Sequence, residues 1–60
     1  EYIVLLHNHP SGDPSPSEDD MLSTDRIASC GRLMGIPLMD HIIIGDNRYY
    51  SFRENHLITD

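Results

Sequence analysis

His7-Asn8-His9-Pro10-Ser11-Gly12-Asp13-Pro14-Ser15-Pro16-Ser17-Glu18-Asp19-Asp20 separates a short apolar run, Ile3-Val4-Leu5-Leu6, from a segment of helical character that starts near Ser17. Side chains alternate along an extended strand, so His7 and His9 fall on one face. Their Cα atoms then lie about 6.5 Å apart, and both imidazoles can reach a single ion through bonds of about 2.0–2.1 Å. Pro10, Pro14 and Pro16, together with Gly12, break regular structure after His9 and turn the chain back. The turn delivers Ser17 and Asp20 to the start of a helix, where Asp20 is a candidate third ligand. Two imidazoles and one carboxylate leave a fourth position for water, the donor set of a catalytic rather than a structural zinc site.

Working outward, residues 1–7 read as a buried strand in which Tyr2-Ile3-Val4-Leu5-Leu6 is apolar on both faces. On the other side, Ser17 has N-cap character and precedes Glu18, Asp19 and Asp20, acids favoured in a first helical turn. The helix is expected to run to about Met34, with Met21 or Leu22, Ala28, and Leu33 or Met34 forming its apolar stripe. Gly35 is the expected stop, reinforced by Pro37. Gly31 within the helix costs up to about 1 kcal/mol against alanine and suits close packing on a sheet. Residues 38–44 form an expected second strand, with Ile42-Ile43-Ile44 strongly β-branched. Gly45-Asp46-Asn47 is a turn signal, and residues 48–52 return as a third, antiparallel strand. Ser51-Phe52-Arg53-Glu54 has capping-box spacing and predicts a short terminal helix or turn. The expected order is β-loop-α-β-β, an α/β (α+β) arrangement with one helix layered on a mixed sheet.

Sixty residues make at most one small domain or part of one, and chains this short rarely stand alone without a metal, a disulfide or a partner. Cys30 is the only cysteine, which excludes an internal disulfide and fits a reducing, cytoplasmic setting. The first residues already read as a strand, with no initiator methionine, so the chain is expected to be a C-terminal fragment of something longer. The balance is 4 basic residues, all arginine, against 10 acidic, a net charge of −6. Phosphate backbones select clustered Lys and Arg, so no direct nucleic-acid contact is expected from this segment. The apolar run at the N-terminal end is far shorter than the roughly 20 residues of a membrane span.

His7, His9, Pro10, Ser17 and Asp20 satisfy the pattern His-x-His-Pro, six residues, Ser, two residues, Asp. It resembles the JAMM motif of the MPN (JAB) metalloprotease superfamily. The longer string from His7 to Ser17, with Asp40-His41-Ile42-Ile43 and Ser51-Phe52 downstream, is similar to the RadC family in particular, over essentially the whole chain. The resemblance implies an MPN/JAB-like (cytidine-deaminase-like) mixed sheet with a packed helix, of which residues 1–60 are the C-terminal part. It implies Zn2+ held by His7, His9 and Asp20, with Ser17 stabilising a tetrahedral oxyanion on a protein or peptide substrate. Zinc lowers the pKa of a bound water to about 7 and polarises a carbonyl, and a hydroxyl donor helps hold the developing charge. The family pattern also requires an upstream glutamate as general base. Glu1 is no substitute, because it lies six residues before His7, about 20 Å along an extended chain. These residues alone are therefore expected to bind metal poorly and not to turn over substrate.

Plainer readings stand beside these. A His-x-His pair on a strand is often incidental, and an acid at the third helical position can simply favour the helix N-terminus and reach back to the cap. Ser17 can serve as a cap and still donate, since a hydroxyl has one donor and two acceptor positions. Asp40 and His41 are strand neighbours facing opposite ways, so at most one faces the site, and a structural role is expected. Cys30 reads as a small packing residue, His56 as solvated, and Tyr49, Tyr50 and Phe52 as cover for the sheet. At the level of function, the rival to a JAMM-type hydrolase is a non-catalytic scaffold in a DNA-repair setting, with a structural or vestigial metal site. The same donors also hold iron(II) in oxygen chemistry, a class the spacing fits poorly. An exposed strand edge would favour pairing into a homodimer.

Overall fold

A computed structural model describes residues 1–58. Four elements follow one another: β1 (Ile3–Asn8), α1 (Glu18–Met34), β2 (Leu38–Gly45) and β3 (Arg48–Ser51). They form a three-stranded sheet in the order β1-β2-β3, with β1 parallel to β2 and β2 antiparallel to β3. The mixed sheet with one helix in β-α-β-β order is the architecture expected from the sequence. Parallel pairing of β1 with β2 needs a crossover, and the Pro-rich loop plus α1 supplies it.

Helix α1 starts where Ser17, in an extended conformation at φ −82 and ψ 170, takes the cap position. Ser17 Oγ accepts from Asp20 N at 3.1 Å, and Asp20 Oδ2 accepts from Ser17 N at 2.9 Å, so the capping box is closed in both directions. At the other end Gly35 sits at φ 74, in the left-handed region. Its N–H donates to Arg32 O at 3.3 Å and Ile36 N donates to Gly31 O at 2.8 Å, the two bonds of a Schellman closure.

The inner face of α1 differs from the expected stripe. Met21, Leu22 and Met34 are exposed, and Leu33 is 89% exposed. The buried residues are Asp20, Thr24 and Gly31, with Ile27 and Ala28 half-buried between them. These positions share one face at 3.6 residues per turn, and that face is set by where Asp20 must point rather than by apolarity. Its residues are small enough for the helix to sit close: a Cβ built on Gly31 would lie 2.3 Å from the backbone oxygen of Ile36. Cys30, off this face, is exposed rather than packed.

Strand β1 is also not covered on both faces. Ile3 and Leu5 face the core, whereas Tyr2 and Val4 are exposed and Leu6 is 70% exposed on the opposite side. The expectation of two buried faces fails because α1 lies on one side of the sheet only. Irregular register between Ile3 and Val4 leaves Met39 as an extra residue on β2. This bulge shifts the alternation, so Leu38 and His41 both turn toward α1. Leu38, Ile43, Phe52 and Ile58 form the buried core, with Ile3, Leu5, Ile27, Ala28 and Tyr50 packed against it. Tyr50 and Phe52 cover the sheet as expected, and they meet edge to face with centroids 5.5 Å apart. Tyr49 lies on the other face, exposed, its hydroxyl donating to the carboxylate of Glu54 at 2.9–3.0 Å.

β3 ends at Ser51, one residue earlier than expected, and the chain turns rather than entering a helix. Ser51 Oγ accepts from Glu54 N at 3.1 Å and donates to Asp40 Oδ2 at 2.6 Å. Asp40 Oδ1 accepts from the backbone N–H groups of His41 at 2.7 Å and Arg53 at 3.0 Å. Asp40 thus ties β2 to the terminal turn, a structural role. Among the described residues, no helix is long and apolar enough to cross a membrane.

Gly31→Ala tests the close approach. Intrinsic propensity alone would favour alanine by about 1 kcal/mol, but the backbone clash is expected to dominate and destabilise the protein by about 1–3 kcal/mol. Urea denaturation of the whole protein should show a lower midpoint, and a raised midpoint would mean that α1 sits further from the β2 connection than described.

Candidate metal centre

The site forms where β1 ends and α1 begins. His7 is on β1, and His9 follows its last residue while still in the ladder, its N–H donating to Ile44 O at 3.0 Å. Gly12 N donates to His9 O at 3.0 Å, closing a turn with Pro10 at the position that favours its fixed φ. Gly12 at φ 84 completes the reversal. Its carbonyl accepts from Asp46 N at 2.8 Å and from Arg48 Nη2 at 3.4 Å, pinning the loop to the β2–β3 hairpin. A Cβ on Gly45 would lie 2.1 Å from that carbonyl oxygen, so only glycine admits this crossing. Asn47 takes the left-handed position in the hairpin at φ 50. Farther along, Asp13 Oδ1 accepts from Ser15 N at 3.0 Å. That backbone bond is the main reason the Asp13 carboxyl sits below its ordinary value.

His7 Nδ1 lies 3.3 Å from Asp20 Oδ1, and His9 Nε2 lies 3.1 Å from Asp20 Oδ2. One donor atom from each of the three residues lies within 4.8 Å of the others. The imidazoles are edge to face, with centroids 4.7 Å apart. Asp20 is 10% exposed at its side chain, His9 16% and His7 44%, so the cluster opens to solvent on the His7 side. Burial pushes the Asp20 carboxyl up, but the hydrogen bonds from Ser17 and the facing imidazoles outweigh it, and the net direction is downward. Asp20 is thus held as an anion.

The donor chemistry suits a cation. His9 Nδ1 donates to the carbonyl oxygen of Asp13 at 2.9 Å, and a neutral imidazole carries only one N–H. His9 Nε2 then faces Asp20 Oδ2 at 3.1 Å, a gap that a proton or a bound cation can bridge. Two ligand atoms bound to zinc at about 2.0–2.1 Å and a tetrahedral angle stand about 3.3 Å apart. The observed 3.1 and 3.3 Å separations run to the two different oxygens of Asp20, and one donor atom from each residue lies within 4.8 Å of the others, close enough to converge on one ion. The Asp13 carbonyl also fixes the orientation of the His9 ring, as partners of ligating histidines commonly do.

The model of the RadC-like JAB domain matches residues 1–57. The chain belongs to this family. A UPF0758 protein of Clostridium perfringens is 55% identical over 56 residues, covering 93% of this chain and 25% of the relative. A UPF0758 protein of Alkaliphilus metalliredigens is 57% identical over 56 residues, covering 93% of this chain and 24% of the relative. One from Clostridium botulinum is 55% identical, with 93% and 25% covered. The chain spans about a quarter of the length of these curated relatives.

This RadC-like segment therefore brings His7, His9 and Asp20 together as a cluster able to coordinate a metal ion, and places Ser17 beside it as the helix cap. Of two buried neighbours, Thr24 is absent from the sequence reading, and His41 is the one member of the Asp40-His41 pair that faces the cluster. Thr24 is buried one turn after Asp20, and His41 is buried on β2 against it, with Nδ1 and Thr24 Oγ1 2.6 Å apart. The i, i+4 spacing of Asp20 and Thr24 was the available signal. His56 is exposed, as expected.

Burial lowers the imidazole pKa of His41 from 6.5; Asp20 and Asp40 pull it upward, while His7 and His9 act in the same direction as burial. An unfolded chain binds this proton more readily than the folded one, so the contribution to stability is complete above about 6.5 and declines as pH falls below it. Urea midpoints of metal-stripped whole protein should fall between about pH 7 and pH 5, and His41→Asn should flatten that slope. An unchanged slope in the variant would assign the titration to another group.

Proposed function

We propose that this segment carries the metal ligands of a zinc-dependent JAMM-type hydrolase that cuts an amide or isopeptide bond in a protein or peptide. In this reading residues 1–60 are the C-terminal part of its JAB domain, and the general-base glutamate belongs to sequence outside them. The enzyme works in the cytoplasm. The observation that carries the reading is the convergence of His7, His9 and Asp20 to within 4.8 Å, open to solvent on one side.

When bound, zinc supplies an acidified water and a Lewis acid for the substrate carbonyl. His7 and His9 hold it through neutral nitrogens, and Asp20 contributes the compensating negative charge. Asp13 O keeps the His9 lone pair aimed at the ion. Ser17 accepts from Asp20 N through its oxygen, and its hydroxyl hydrogen is not engaged by that bond. It can donate to an oxyanion formed on a carbonyl that enters from the exposed His7 side. The net charge of −6 favours neither DNA nor RNA as the substrate of this segment.

Elemental analysis of the whole protein should find about one zinc per chain, and none in His9→Ala or Asp20→Ala. Zinc retained by both variants would sink the reading. Ser17→Ala should keep its zinc and lose about 1 kcal/mol of stability with the cap. Its kcat on an isopeptide-linked substrate should fall by about 10²–10³ with little change in KM. A parent kcat retained by Ser17→Ala would remove the oxyanion role.

A further inference from the structure

Thr24 and His41 adjoin the donor set without belonging to it. Both are buried, at 2% and 5% exposure. Thr24 Oγ1 donates to Asp20 O at 2.6 Å, four residues back. A threonine bonding to the carbonyl one turn earlier is common in helices and by itself says nothing about a site. Here, however, the same oxygen also meets His41 Nδ1 at 2.6 Å. The hydroxyl has one hydrogen, and Asp20 O takes it, so Thr24 accepts from His41 and the Nδ1–H tautomer is fixed. The ring of His41 then lies between two others. It stacks on Phe52 with centroids 4.7 Å apart and planes at 8°, and on His7 at 6.0 Å and 17°.

His41 therefore touches both elements that supply ligands. Through its ring face it limits how far the His7 imidazole can tilt. Through Thr24 it holds the first turn of α1, and with it the Asp20 backbone, at a fixed distance from β2. Phe52, fully buried behind it, prevents His41 from backing away. A neutral, doubly stacked imidazole thus spans the gap between strand and helix on the side of the cluster away from solvent.

We infer that Thr24 and His41 are positioning residues for the metal centre, setting the separation between His7 and Asp20 before any ion binds. The inference rests on the metal-site reading above and assigns these two residues no contact with substrate. Losing partners of this kind lowers metal affinity by about 10–100-fold.

The test uses the whole protein with Co2+ as the probe, reading both its affinity and its visible absorption, which reports ligand geometry. Thr24→Val keeps shape and removes the hydroxyl, whereas Thr24→Ser keeps it. Thr24→Val should bind Co2+ about 10–100-fold more weakly with an altered spectrum, and Thr24→Ser should restore both. His41→Asn, whose amide can replace the Nδ1–H, should bind better than His41→Leu. Urea midpoints measured alongside separate this from a merely weakened fold. Parent affinity and spectrum in Thr24→Val would overturn the inference alone. Equal losses in Thr24→Val and Thr24→Ser that track their midpoints would do the same. A parent protein that takes up no Co2+ would overturn the metal reading, and this inference with it.

Discussion

Asp20 uses one carboxylate for two tasks. It closes the capping box by accepting from Ser17 N at 2.9 Å, and it faces His7 and His9 at 3.3 and 3.1 Å. Both depend on Asp20 being the third residue of α1. Starting the helix one residue earlier or later would turn Asp20 by about 100° around the axis and lose the cap and the cluster together. The phase of α1 is therefore set by polar geometry at its first turn, and everything along its inner face inherits that phase. Thr24 falls under His41, Ile27 and Ala28 meet the core, and Gly31 arrives where the backbone of Ile36 leaves no room for a side chain.

The other half of the cluster is fixed from the opposite side of the chain. His9 lies beyond the last residue of β1, where a histidine in a proline-rich loop would ordinarily sample several orientations. It is held by the ladder bond to Ile44 O, by the turn to Gly12 and by the Asp13 carbonyl. Gly12 in turn is clamped by Asp46 N and Arg48 across a contact that requires glycine at position 45. The β2–β3 hairpin carries no candidate ligand, yet it determines where the loop lies. A preorganised site needs this kind of support, because ligand atoms must be placed to within about 0.5 Å.

Much of this was legible in the sequence. Pattern and turn chemistry located all three strands, the cap at Ser17 and the stop at Gly35, because each rests on local rules that act within a few residues. The candidate cluster was legible because His7, His9 and Asp20 stand at fixed short spacings on either side of a loop that must reverse. The helix face was misread for a physical reason. Apolar residues at 21, 22, 33 and 34 looked like a stripe, whereas the inner face is made of a carboxylate, a hydroxyl and a glycine that hydropathy does not count as core. The bulge at Met39 was equally hidden. Without it, strict alternation could not place Leu38 and His41 on the same side. Gly12 meeting Gly45 joins residues far apart in the chain, and no local rule anticipates it.

The small core gives the candidate metal site a second significance. The core cluster consists of four buried apolar side chains among the described residues, Leu38, Ile43, Phe52 and Ile58, and α1 packs chiefly on β2, not on β1. An ion held by His7 and His9 on one side and Asp20 on the other would join β1 to α1, the two elements with the least direct apolar contact. Anything that binds only the folded state stabilises it by mass action, and for a structural divalent ion the term is comparable with the whole stability of a small domain. The same ligands that would do chemistry would then also secure the helix to the sheet. On this view, the arrangement of small and polar residues on α1 is not a deficient apolar stripe. It is an interface in which a buried hydrogen-bond chain, together with an ion where one is held, would perform the joining that larger proteins assign to leucine and isoleucine.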